Sequence, residues 1–502
     1  MAHEAPTSYW IASTSTPRFP RLEEPVEVDV AVLGAGIAGI TAATLLKEGG
    51  KTVALVESKE VLRGVTGYTT AKLTSGHTLA YSAITSIFGP GEARLYAQAN
   101  EAAIQYVRRV AEERGIDCDL ETAVNYVYTE SSDQVDEIRG EVDAAKAAGL
   151  EVSFVTETPL PFPVAGALRQ ENQAQFHARK YLLPLAESIP GDGSHVFQET
   201  RAVSVADGEP CRVKTDRGEV RARDVIVATH LSILERGLFF AKTSPKRSYV
   251  LGIPAEAAAI PDGMFISTEA PVHSARSTPL DGRRLLLVGG EGHKAGQEED
   301  TRRRYAALEA WARSRFDVGE VEYRWSTHDN YSADRVPFVG KLTRRADHVF
   351  VATGFSGWGM TNGTVAGMIL SDAILGRENA WAALYDSTRL PRVRELGRLA
   401  KENANVGMRW IGDRLPGRKG AVGEIPAGEG RIVELNGERA AVYKDEQGAL
   451  TALSPVCTHF GCIVSWNTAE KSWDCPCHGS RFDTDGRVIQ GPAVKDLERE
   501  ST

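Results

Sequence analysis

Apolar and polar positions divide the chain into two regions of different rhythm. The run Val28-Asp-Val-Ala-Val-Leu33 reads as a buried strand, a glycine-rich turn follows from Gly34 to Gly39, and the small apolar residues 40–46 read as a helix. A second apolar run, 52–56, ends on Glu57. The same order returns near residue 350. Residues 348–353 predict a strand, Gly354-Phe355-Ser-Gly357-Trp-Gly359-Met360 a glycine-rich turn, and 364–375 a helix of small residues. Further strand patterns lie at 201–205, 219–229 and 285–289. Past residue 428 the rhythm shortens. Segments 431–435, 439–443 and 449–453 predict brief strands separated by Asn-Gly and Gln-Gly turns. The chain is therefore expected to be an α/β module followed by a small all-β domain over 426–502. The glycine-rich, basic stretch 401–425, which contains Pro416, is expected to connect them.

The first strand–turn–helix unit carries a dinucleotide-binding fingerprint in full context. Gly34 permits a tight turn, Gly36 lets the backbone approach a pyrophosphate, and Gly39 allows close helix–strand packing. Ala38 lies within the turn, and Glu57 is placed to accept hydrogen bonds from an adenosine ribose. The fingerprint alone does not separate NAD from FAD.

The second chemical signal is Cys457-Thr-His459-Phe-Gly-Cys462 followed by Cys475-Pro-Cys477-His478-Gly-Ser480. Cysteine and histidine at such short spacing suit either zinc or an iron–sulfur cluster. Zinc leaves one extra cysteine in each loop without a role, as well as Gly461, Gly479 and Ser480. These two loops, within about 432–494, resemble those of the Rieske family. The resemblance implies a [2Fe–2S] cluster held by the thiolates of Cys457 and Cys475 and the imidazoles of His459 and His478. It also implies that Cys462 and Cys477 form a disulfide between the loops.

With 502 residues, two or three domains are expected. A net charge of −9 argues against nucleic acid or an anionic membrane as partner. No apolar run reaches transmembrane length, and Met1-Ala-His-Glu-Ala-Pro lacks the basic-then-apolar order of a secretory signal. Six cysteines, four of them in the cluster loops, fit a reducing cytoplasm, with the disulfide as an exception shielded by those loops. Cys118 and Cys211 are expected to be inert.

Between residues 29 and 390 the chain resembles the D-amino-acid oxidase and glycine oxidase superfamily of FAD enzymes. The pieces that carry this are the first fingerprint, Ala228-Thr229, Asp334-Arg-Val-Pro337-Phe-Val-Gly340, and Gly354 to Met360. The resemblance implies a Rossmann-like FAD-binding domain assembled from about 28–95, 171–234 and 341–390, with an α+β substrate domain from about 96–170 and 235–340; the oxidoreductase module as a whole spans 1–400. Besides the fingerprint residues, the implied FAD contacts are Thr69, Thr70, Ala71, Val203, Ala228, Thr229, Gly354, Phe355, Gly357, Gly359 and Met360. Some members bind FAD covalently through a histidine; here Thr69 stands at that position, which implies dissociable FAD. The whole chain, with Ser8-Tyr-Trp10 near its start, resembles a bacterial group of FAD-dependent oxidoreductases that carry a Rieske domain.

The resemblance implies an amine or amino acid as small-molecule substrate. A flavin handles two electrons and a [2Fe–2S] cluster one, so the fusion implies a converter serving an external one-electron carrier protein. The alternative is a reductase, with electrons entering at the cluster and reaching a substrate through FAD. A Rieske oxygenase would need a mononuclear iron site, for which no obvious H-x3–5-H motif is present. Catalytic candidates are Lys72, His293 and Tyr331, with Lys294, His328 and Asp329 beside them. Arg247, Tyr249 and Arg276 are candidates for holding a carboxylate.

Overall fold

Val26–Leu33 is buried along most of its length because helices and neighbouring strands cover it on all sides. In the computed structural model, which describes residues 6–298, 300–390, 397, 404, 421–435 and 437–500, this strand is central to an eight-stranded sheet. It pairs in parallel with Val53–Val56 on one side and Glu219–Val227 on the other. Val349–Thr353 continues the parallel order, and Phe338–Lys341 closes that edge antiparallel. Glu219–Val227 is one continuous strand.

Helix Ile37–Glu48 lies against helix Gly359–Leu375. The second helix begins five residues earlier than its apolar pattern suggests, because Gly359 and Gly363 mask its first turn. Gly363 and Gly367 serve contact: a Cβ on Gly363 would sit 2.7 Å from Ile37, and one on Gly367 would sit 2.7 Å from Thr41. Small residues let the two backbones approach, which is why both helices read as small-residue stretches.

A nine-stranded sheet forms the second layer. Its long strands Thr243–Ala255, Arg283–Lys294 and Tyr323–Ser332 run side by side antiparallel. Lys72–Leu73 forms its far edge by pairing with Gly166–Gln175. The C-terminal domain has a three-stranded sheet (Glu429–Leu435, Glu438–Lys444, Leu450–Leu453) and a four-stranded sheet (Ser465–Asn467, Ser472–Asp474, Arg481–Phe482, Val488–Gln490). Trp473 and Phe482 fill its own core, beside the four loop cysteines. Most of the expected connector lies outside the described residues. Among the described residues no helix is long and apolar enough to cross a membrane.

Although their cores are separate, the two modules meet through a buried polar seam. Arg247 donates to the Asp474 carboxylate at 2.8 Å, with side chains only 1% and 4% exposed. Arg481 reaches the same carboxylate at 3.1 Å. Farther along, Thr301 bonds Asn467 and Tyr305 bonds Glu470.

Candidate functional site: a flavin groove and a cluster on one seam

A cavity of about 630 Å³ opens between the two large sheets. Its wall includes Gly34, Gly36, Ala38, Glu57, Thr69, Thr70, Ala228 and Thr229, and farther along Phe355, Gly357, Gly359 and Met360. Gly39 stands behind the wall, where a Cβ would fall 1.9 Å from the Gly34 carbonyl oxygen. Gly34 itself adopts φ +102, with Ala228 backbone 2.6 Å from where a Cβ would be. Any side chain at either position collides with main chain, which preserves the tight turn under a pyrophosphate. The Glu57 carboxylate accepts from the Ala35 and Lys59 amides and the Ser58 hydroxyl, so it is held at the end of its strand. Ala71, Val203 and Gly354 are not wall residues; Ala71 turns with φ +54, and its neighbours Thr69 and Thr70 face the cavity instead. The groove fits FAD in its glycine cradle and its acidic strand end.

Two indoles pin the loop beside the cavity. Trp10 donates to the Thr69 carbonyl at 2.6 Å and Trp325 to the Tyr68 carbonyl at 2.9 Å. The Thr69 hydroxyl accepts from the Ala71 amide. A hydroxyl in this position gives FAD no nucleophilic nitrogen to bond. Acid precipitation is therefore expected to release all the flavin to the supernatant, and yellow colour retained in the pellet would contradict this.

The catalytic candidates separate into two groups. Lys72 and Tyr331 face the cavity, and so does Asp329. Burial pushes Asp329 up to about 6 and Tyr331 upward as well. Lys72 donates to the Phe265 carbonyl at 2.6 Å, and burial, aided by Arg276, pulls it down to about 7. His293 stands outside the wall. Its strand runs on to Lys294, and its ring is held between the Tyr249 hydroxyl (2.8 Å) and the Lys294 carbonyl (2.8 Å). Arg276 is also committed elsewhere: it donates to the Ala71 and Phe176 carbonyls beneath Trp10. Arg247 lines the cavity but spends its charge on Asp474. His77 is buried and lines the cavity too, its ring stacked on Trp358 and bonded to Tyr96 and Thr74.

The cluster loops lie at the other side of the seam. Cys462 and Cys477 are joined as a disulfide, whereas Cys457 and Cys475 are free and buried. The sulfurs of Cys462, Cys475 and Cys477 lie within 4.8 Å of one another, but the disulfide leaves only Cys457 and Cys475 as thiolate donors. Cys457 is drawn down to about 7 by the Cys475 thiol, by the His459 and Phe460 amides and by the Ser480 hydroxyl. The His459 and His478 rings stand 5.0 Å apart, each with a buried Nδ1 that has no partner. Burial pushes them down to about 4 and about 3, so both present neutral nitrogen lone pairs. Two adjacent thiols and two unpartnered imidazoles are the donor set of a Rieske cluster. Cys118 and Cys211 are buried, and burial raises both thiols, Cys118 to about 12.

The FAD dependent oxidoreductase family matches residues 29–373 of the chain. The protein belongs to that family. A Rieske [2Fe-2S] domain match covers residues 418–499. The chain is 38% identical over 500 residues to YhfW, a Rieske 2Fe-2S iron-sulfur protein of Bacillus subtilis (strain 168), covering 99% of this chain and 98% of that one. Its C-terminal part is 42% identical over 80 residues to the cytochrome b6-f complex iron-sulfur subunit of Chlorobaculum thiosulfatiphilum, covering 16% of this chain and 44% of that one. Its fold resembles glycine oxidase from Geobacillus kaustophilus, with a TM-score of 0.62, 18% identity, and coverage of 73% of this chain and 99% of the other. The protein is thus an oxidoreductase carrying FAD and a Rieske [2Fe–2S] cluster.

Sequence reasoning missed several cavity residues: Lys59, Arg63, Thr66, His230 and the segment 488–494 of the Rieske module. Lys59 and Arg63 follow the fingerprint acid and carry a basic signal. The C-terminal segment has no local signature of its role.

Proposed function

We propose that this protein dehydrogenates the C–N bond of an amine or amino acid and passes the electrons singly to a carrier protein. The observation that supports it best is the nearness of the cluster loops to the cavity wall. His230 faces the cavity; its ring lies 5.2 Å from that of His328. A Cβ on Gly479, next to the ligand His478, would fall 3.1 Å from His328 Nε2. Phe240 of the flavin module makes edge contacts with both ligand imidazoles, at 5.9 and 5.1 Å.

Bound FAD supplies two-electron acceptance, and the cluster supplies one-electron storage. Asp329 and Lys72 both face the cavity, and Asp329 at about 6 is suited to take a proton. Tyr331 lies near Asp329, with the Lys246 ammonium 4.8 Å from its ring centre. The substrate loses two electrons and two protons and becomes an imine, which water hydrolyses to a carbonyl and an amine. The likeness in fold to a glycine oxidase supports a C–N bond as the target. His459, with Glu235 3.8 Å away and the 40%-exposed Phe460 beside it, marks the exit toward a carrier.

An anaerobic screen of amines and amino acids, followed by flavin bleaching and cluster EPR, tests the reading. A true substrate should bleach the flavin first and reduce the cluster second. Oxygen should be at least about tenfold slower than a one-electron dye as acceptor, because each factor of ten needs only about 1.4 kcal/mol of barrier difference. Hydrogen peroxide formed as fast as the dye is reduced would overturn it in favour of a plain oxidase. Cluster reduction by external donors, followed by flavin reduction and substrate reduction, would establish the reverse flow.

A further inference from the structure

We infer that the Rieske module is part of the FAD-binding site, because its segment 488–494 closes the nucleotide end of the groove. The inference rests on FAD as the cofactor and is independent of the substrate or the direction of electron flow.

The cavity that begins at Gly34 and Glu57 is bounded also by Val488, Ile489, Gln490, Gly491, Ala493 and Val494. These residues come from the last strand of the Rieske domain and the turn after it. They are held over the groove by one side chain of the flavin module. Arg201 donates to the Val488 carbonyl at 3.1 Å and to the Asp496 carboxylate at 3.1 Å. Asp496 in turn accepts from the Val488 amide at 2.9 Å, so the carboxylate, the strand and the guanidinium form one closed unit. Arg201 belongs to the same end of the groove as Glu57, whose carbonyl accepts from the Thr200 amide. Lys59 also lines this end and lies close to Arg201 of its own module and Arg481 of the Rieske module. Cations from two modules thus gather at the Glu57 end of the groove, Arg201 held by Asp496 and Arg481 by Asp474.

The closing segment is also tied to the cluster. The Ala493 amide donates to the buried Ser480 hydroxyl oxygen at 3.0 Å, and the Ser480 hydroxyl reaches the Cys457 sulfur. One hydroxyl therefore joins a cluster ligand to the wall of the flavin groove. A ligand that binds across two modules favours their docked arrangement, and the docked arrangement favours the ligand by the same factor. Seating of the Rieske module and FAD affinity should rise and fall together.

Two measurements on the full-length chain test this. In the wild-type protein, stripped of FAD and then reloaded, hydrogen exchange of the amides in 486–494 should slow by about tenfold on FAD binding. Protection confined to the fingerprint region 34–57, with none in 486–494, would overturn the inference. In the second, Asp496→Ala removes the carboxylate arm of the brace, leaving the bond from Arg201 of the groove wall to the Val488 carbonyl and the cluster ligands in place. Its FAD Kd, read from quenching of FAD fluorescence, should rise by about tenfold, equal to about 1.4 kcal/mol. Its cluster EPR spectrum should be unchanged. Arg302→Ala, which removes an exposed contact with Glu429 elsewhere on the seam, should leave the Kd within about twofold. An unchanged Kd in Asp496→Ala, or an equal rise in both variants, would overturn the inference. If Asp496→Ala does not fold, the exchange measurement on the wild type decides alone.

Discussion

Replacing His478 by alanine, or His459, should abolish the reduced-state Rieske EPR signal completely. Each iron of the cluster needs two protein ligands, and these two imidazoles are the proposed ligands of the second iron. The structure offers no substitute: among the described residues the other sulfurs nearby, Cys462 and Cys477, are bound to each other. Phe240 and Phe460, packed on the two rings, cannot ligate, and the Glu235 carboxylate 3.8 Å from His459 supplies no imidazole nitrogen. FAD should remain bound, though less tightly, since the ligand loop holds the closing segment through Ser480. EPR at matched iron content, with flavin absorbance on the same samples, checks both statements. A surviving Rieske spectrum in either variant would remove that histidine from the ligand set.

The second large effect is expected at the seam. Arg247→Ala leaves the Asp474 carboxylate buried with only part of its compensation, and breaking a buried pair of this kind costs about 3–5 kcal/mol. Burial raises the Asp474 pKa, but Arg247 first and Arg481 second outweigh it and hold the carboxyl well below the ordinary carboxylate range. The folded value is thus depressed relative to the unfolded value of about 3.9. The contribution is fully present above that unfolded value and is lost only as the pH falls through the folded one. At neutral pH the pair is at full strength, and the variant should lose stability from pH 5 to 8 without a pH dependence of its own. Urea unfolding followed by tryptophan fluorescence and by cluster absorbance would show it. A loss below about 1 kcal/mol would mean that water reaches the pair.

How far the sequence carried this account depends on the distance over which each feature acts. The groove was legible at Gly34, Gly36, Gly39 and Glu57 because a turn, a helix start and a strand end lie within two dozen residues. The cluster was legible for the same reason, since each ligand loop is short. Features that join distant segments were not. Arg247 reads as a candidate carboxylate clamp, but its partner Asp474 is 227 positions away in the other module. Arg276 reads the same way, and nothing local reveals that it lies beneath Trp10 and bonds backbone carbonyls. The apolar pattern at 285–289 predicts a strand that stops before His293; the strand continues through it, which turns its ring to Tyr249. Segment 488–494 is an ordinary short strand and turn by pattern; only the docking of the two modules gives it a place in the flavin groove.

The central claim is that the flavin cavity and the cluster work as one electron path. The most direct measurement is a single anaerobic turnover of the full-length protein, with flavin absorbance followed by stopped flow and the cluster by rapid-freeze EPR. The account predicts that, once a substrate has bleached the flavin, the reduced-cluster signal grows within the same chain before any external acceptor is added, at a rate independent of protein concentration. A flavin that stays reduced beside a cluster that stays oxidised, or a cluster signal whose rate rises with protein concentration, would contradict it.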